Sequence, residues 1–257
     1  MTRVRDSSAN GRRRVSRRGA RSLFGEYRHV SVGQVGEWRE ARREAAPQLV
    51  VALVLLVLLA AVSKAEGWEL LQRVPWWIWL LLAVPELVLT VDLVLGVRGA
   101  DFVRTRRIAL ALLGVLVVGN LAALGVLIAA LVTMSTRELG GGELLLTAAV
   151  IWVTDVIVFG LWFWEIDDGG PVERTRHVRR TPDFQFPQDE NPALARADWR
   201  PYAWDYLYIS LTNSIAFSPT DAMPLSRHAK ILMGFGAASS AVTVLLVTAR
   251  AVNVLGS

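Results

Sequence analysis

The chain has no cysteine among its 257 residues, which excludes disulfide frames, thiolate metal sites and cysteine nucleophiles together. Histidine is scarce too. His29, His177 and His228 lie far apart at no ligand spacing, so neither a metal nor a cofactor is expected. The nucleophile elbow, the HExxH helix and the phosphate-binding loop are all missing, and the chain reads as a non-enzyme. No repeat of 20–50 residues is present. Lysine occurs only at Lys64 and Lys230, so the net charge of +5 comes from arginine.

What abounds is apolar sequence, 53% of the chain, gathered into blocks rather than spread periodically. Five blocks, at about 48–63, 76–97, 108–134, 143–164 and 229–252, approach the ~20 residues that cross ~30 Å of hydrocarbon. The expectation is an all-α, polytopic helical membrane protein: five transmembrane helices plus one short amphipathic membrane-embedded helix, a half-span or a sixth crossing. Residues 1–47 form a basic, largely disordered tail, 48–164 a four-helix transmembrane region, 165–201 a polar loop, and 202–257 a short helix with the last span.

The tail carries twelve arginines and five acids, too little apolar surface to fold by itself up to about Ser22. Its GEWREARREAAP run could form a short helix at the headgroups. Anionic lipid is its expected partner, and nucleic acid is not. With the tail inside, the inside segments hold 22 arginines, against Lys64, Arg73 and Arg137 outside. That asymmetry predicts a multi-pass protein of the bacterial inner membrane with a cytoplasmic N-terminus. It puts 165–201 in the cytoplasm, so 203–217 must either cross or dip and return. Trp76, Trp77 and Trp79 resemble an interfacial belt.

Glu86, Asp92 and Asp155 fall inside spans, where a carboxylate is costly and must face protein or water. Glu86 and Asp92 are six apart, about 120° around a helix, so they are no obvious carboxylate pair. The three acids are candidate ion or proton partners; the alternative is that they pair with Arg227, Lys230 or Arg250 and only hold helices together. Ala111, Gly114, Val118, Ala122, Gly125 and Ala129 form a stripe of mostly small residues that predicts close helix packing. Asn120, on the opposite side, needs a partner from another helix.

The stretch WDYLYISLTNSIAFSPTDAMPLSR, 204–227, is the most informative. Tyr206, Ser210, Asn213 and Ser214 share one helical face, and Trp204, Tyr208, Leu211 and Ile215 the other. Pro219 ends this helix, with Ser218, Thr220 and Asp221 around it. Ser210, Asn213, Ser214, Ser218, Thr220 and Asp221 are the candidate pathway or polar membrane cluster.

The DYLYIS run at 205–210, Thr220-Asp221, Val252-Asn253 and the PDFQFP run at 182–187 resemble the C-terminal signature of a family of uncharacterised bacterial integral membrane proteins, a domain of unknown function. The resemblance covers roughly the last 75 residues and implies no activity. A fainter similarity is to the potassium-channel pore module, through the Asp221-Ala222-Met223-Pro224 run and Arg227 before the last helix. The filter departs from that module. Ala216 to Thr220 contains no glycine, and Pro219 has its φ locked near −65°. The readings that follow are a channel-like or transport-related homo-oligomer passing a small ion without a standard potassium filter, or a non-conducting membrane scaffold or sensor.

Overall fold

The computed structural model describes residues 40–68, 75–95, 102–133, 141–175, 181–196, 199–218 and 221–255. Ser22 and the rest of the tail to residue 39, with Arg73, Arg137, His177, Pro219 and Thr220, lie outside them. The elements are α1 (Ala46–Glu66), α2 (Trp77–Leu95), α3 (Phe102–Thr133), α4 (Gly141–Ile166), α5 (Pro171–Thr175), β1 (Phe184–Gln185), α6 (Pro187–Glu190), α7 (Ala203–Ala216), β2 (Met223–Pro224) and α8 (Arg227–Leu255). Helix extends back to Glu40 before a turn at residues 44 and 45, so the first span begins inside the segment expected as tail.

Five of these helices, α1 to α4 and α8, are long and apolar enough to cross a membrane. The protein is an all-α polytopic membrane protein. Each apolar side chain faces either lipid or a neighbouring helix, so amphipathicity is weak and the core is a set of seams rather than one centre. α4 is the axis of the bundle: 72% of its span is buried, and it packs against α1, α3, α7 and α8.

One end of the bundle, here called basal, is identified by its cross-links. Arg43 donates to the Val94 carbonyl at 3.1 Å, joining the start of α1 to the end of α2. Arg106 donates twice to the Glu165 carbonyl, at 3.2 and 3.4 Å, joining the start of α3 to the end of α4. Arg200 pairs with Glu44 at 2.8 Å, bringing the segment after α4 back to the first helix. At the opposite, distal end, Gly67 closes α1 at φ 66°, and Lys64 stacks over the Trp76 ring at 4.8 Å.

The basal segment after α4 is built around aromatic rings. Phe163 contacts Phe184 at 5.3 Å between centroids, Phe184 and Phe186 meet Tyr206 edge-on, and Trp199 closes on Phe186 at 5.6 Å. β1 pairs antiparallel with β2, Phe184 opposite Pro224, and the Leu225 N–H donates to the Asp183 carbonyl at 2.8 Å.

This pairing decides the course of α7. Its first turn, at Tyr206, and the strand that follows it, β2, both sit against β1 at the basal end. Asn213 donates to the Met233 carbonyl at 2.9 Å, so α7 runs beside the first two turns of α8. α7 therefore enters from the basal face and the chain returns there before α8 crosses. Of the two routes left open by the sequence, a crossing and a dip, the fold takes the dip.

One packing expectation needs correction. Trp79 is buried between helices, so only Trp76 and Trp77 sit where a belt would be. Most of the α3 stripe is open on the single chain: Val118 is 67% exposed and nothing lies within 4 Å of a Cβ built on Gly125, while one built on Gly114 meets the Trp162 ring at 3.7 Å. The larger residues Leu113, Leu116, Leu124 and Leu127 fill the buried face instead, because they recover more dispersion contact than alanine or glycine.

Candidate functional site

The candidate residues divide among three places. At mid-bundle, Asp155 on α4 accepts a hydrogen bond from Asn120 on α3 at 2.9 Å and another from the Ser239 hydroxyl on α8. Asn120 also approaches Thr154 at 3.2 Å. Asn120 thus finds the interhelical partner its position demands. Thr154 spends its own proton on the carbonyls one turn back, at 2.8 and 3.0 Å. Next to Ser239, the Ser240 hydroxyl is buried with no hydrogen-bond partner, and Thr243 donates to the Ser239 carbonyl. The partners in these bonds to Asp155 are neutral, so they give it dipoles without a neutralising charge.

Asp92 lies elsewhere, at the basal end beside a small cleft that Arg42 lines. Arg42 approaches it at 3.7 Å, a distance at which charges attract but no good hydrogen bond forms. Glu165 and Trp164 line the same cleft with Arg42, walled by Ala45, Leu49, Leu89, Leu93, Ala109, Leu113 and Leu161. Among the described residues, Glu165 Oε1, Trp164 Nε1 and Arg42 Nη2 are buried without a hydrogen-bond partner. Glu86 belongs to neither place. It is 1% exposed, its Oε2 is likewise without a partner, and its backbone carbonyl accepts from Thr90 at 2.8 Å.

The third place is the α7–β2 hairpin. The face carrying Tyr206, Ser210, Asn213 and Ser214 is buried against α4 and α8, while Trp204, Tyr208 and Ile215 face outward. The two faces of the helix divide as the sequence spacing requires. Packing is closest at Gly160 of α4, where a built Cβ would stand 3.0 Å from Leu207 Cα. α7 ends at Phe217 in a left-handed turn (φ 54°, ψ 26°), and Ala216, Phe217 and Ser218 are exposed. Asp221 is half-buried on the return, and Thr220 lies outside the described residues.

The hairpin is anchored by Asp167, which the sequence reading did not single out. Its Oδ1 accepts from the Asp183 and Phe184 amides at 2.7 and 3.0 Å, and its Oδ2 accepts from the Tyr206 hydroxyl. Arg174 braces the same corner, donating to the Trp164 and Asp167 carbonyls at 2.9 and 2.8 Å while stacking on the Tyr206 ring at 5.2 Å. Burial raises the Tyr206 hydroxyl well above its ordinary range, so it stays a proton donor. Asp205 caps α7 through the Tyr202 amide at 2.6 Å, and burial raises its carboxyl.

Glu165, Asp167, Arg42, Ser239 and Thr154 went unnoticed for two reasons. The first three sit at block ends, where charge is ordinary, and small hydroxyl residues are common in any span. Spacing alone had one usable signal: 155 and 165 lie on a single helix whose polar residues recur at 143, 147, 154, 155 and 165. Among the described residues no group of three or more His, Cys, Asp or Glu side chains could hold a metal ion. The chain matches no family model, no curated protein and no solved structure.

Proposed function

We propose that the protein is a channel-like or transport-related homo-oligomer of the bacterial inner membrane, tail inside, that moves a small ion without a standard potassium filter. The observation that carries this reading is the dip of α7. A helix that enters from one face, stops at a non-helical turn and returns leaves backbone groups without helical partners. At membrane depth such backbone survives only when covered by protein or wetted by a cavity. Ala216, Phe217 and Ser218 are exposed on the single chain, so a neighbouring copy or a water-filled path supplies what they lack. The outward stripe on α3, with Ala122 and Gly125, offers copies a face where backbones can approach closely. Asp155, held by neutral donors, is the candidate site for a transient cation or proton inside the bundle.

The direct test is monovalent-ion flux in liposomes containing the purified chain, with Asp221→Ala and Asp155→Asn beside the parent. Flux in the parent and a loss of about tenfold or more in either variant, the factor for ~1.4 kcal/mol of barrier, supports the reading. No flux of any monovalent ion, or variants equal to the parent, defeats it. A second reading, a non-conducting scaffold or sensor, is favoured by the built basal face, where Arg200 and Glu44 tie the loop to the first helix. Pull-down after deletion of residues 1–39 tests it, and unchanged partners and localisation count against it.

A further inference from the structure

We infer that Glu86 on α2 is a proton-binding site at mid-bundle, which makes the proton the ion of the reading above, on which this inference rests. The buried apolar side chains form two clusters, one basal and one distal. On α2, Leu89 and Leu93 belong to the first and Trp79 and Ala83 to the second, with Glu86 between them on the same buried face. The other helices repeat the pattern. α3 passes from Leu116 to Ala123 with Asn120 between, and α4 from Ile151 to Ile157 with Thr154 and Asp155 between. Two contacts fix the level. A Cβ built on Gly119 would meet Leu82, one turn from Glu86, while the next residue, Asn120, bonds Asp155. Glu86 and Asp155 therefore belong to one polar layer, and α3 packs against both of their helices.

Glu86 is fully buried, its Oε2 has no hydrogen-bond partner, and no countercharge stands near it. Among the described residues, the charged groups on the helices packed around it lie toward the helix ends. On α1, Glu40, Arg42, Arg43 and Glu44 stand at the basal end, and Lys64 and Glu66 at the distal end. Arg104, Arg106 and Arg107 open α3 at the basal end. On α2 itself Asp92 is one and a half turns on, ~9 Å along the axis, and of like sign. A bare carboxylate in such a place is the costliest form of the side chain, and a proton removes the charge with a single O–H bond. A metal ion is not served. Sodium or potassium needs a ring of oxygens in place of its water, and calcium needs more still. The neighbours on the same face, Ala83 and Leu89, have no side-chain oxygen to give. Loading moves a proton from water to Oε2 and leaves a neutral acid; unloading returns it, and no other reactant takes part.

The test treats the full-length protein in liposomes with dicyclohexylcarbodiimide, an apolar reagent that adds to a protonated carboxyl and spares a carboxylate. Adducts are located by mass spectrometry, with and without excess sodium, potassium or calcium. Proton uptake and cation flux are followed in the same liposomes. The expected result is an adduct on the peptide carrying Glu86 that none of the three cations slows, because no metal competes with the proton. Glu86→Gln should lose that adduct and about tenfold in proton uptake. Glu86→Asp should keep the adduct, with gel filtration confirming that both variants fold. No adduct on Glu86 in the parent, or labelling slowed by any of the three cations, overturns the assignment even where ions cross. Proton uptake unchanged in Glu86→Gln overturns it too. An adduct without any ion flux defeats the transport reading and leaves the proton site standing.

Discussion

Tyr206 and Asp167 show how much of the basal architecture rests on single atoms. The carboxylate accepts two backbone amides on one oxygen and the phenol on the other, so both oxygens are satisfied in a place water does not reach. Tyr206→Phe keeps the ring contacts with Phe184 and Phe186 and removes only the hydroxyl. It leaves a buried carboxylate oxygen without its donor, at a cost of about 1–3 kcal/mol. We expect a lower thermal midpoint in detergent for Tyr206→Phe, with Tyr208→Phe, on the exposed face, as the control that does not move. Equal midpoints for the two variants would show that the hydroxyl contributes nothing. The i, i+4, i+7 spacing puts Tyr206 on one helical face with Ser210 and Asn213, and the structure makes that face the inner one. Its partner was not foreseeable, because Asp167 looks like any acid beyond the end of an apolar block.

At the scale of elements, the helices were legible and their contacts were not. Five apolar blocks announce five spans because lipid allows no other use of about 20 apolar residues. Which side of each helix meets protein is a different question, since leucine suits lipid and protein alike. That is why most of the small stripe on α3 is open on the single chain, and why Trp79 lies within. The α7–α4 seam is the exception, because it is set by one glycine. Gly160→Ala would put a methyl 3.0 Å from the Leu207 backbone, where no side chain can swing away. We expect a loss of about 1–3 kcal/mol in stability, typical of overpacking. Gly119→Ala meets only the far end of Leu82, at 2.6 Å, and a rotation of that side chain relieves it. If thermal melts of the two variants coincide, the α7–α4 seam is not the tight joint described above.

For the whole molecule the decisive matter is the number of crossings. Arginine counts predict an orientation for the first four spans, but they leave the last two helices ambiguous, since a short amphipathic helix of 14 residues can cross or dip. The antiparallel pairing of Phe184–Gln185 with Met223–Pro224 resolves this, because two strands in register must lie at the same end. Such a pairing of two-residue strands, Phe184 with Pro224 and Gln185 with Met223, leaves no trace in local sequence. The prediction is that reporters placed near Gln188 and after Ser257 fall on opposite sides of the membrane. Reporters on the same side would mean that α7 crosses.

The bond between Asp155 and Ser239 also has a consequence in time. The acid lies in the fourth span and its donor in the last, 84 residues later. At ~5–20 residues per second, roughly 4 to 17 s of synthesis separate them. Through that interval Asn120 alone holds the carboxylate, and the side of α4 that α8 will cover is open. The last helix is thus the step that seals the acid. A chain stalled or cut before it would present a half-satisfied carboxylate to lipid, the kind of defect by which an unfinished membrane protein can be told from a finished one.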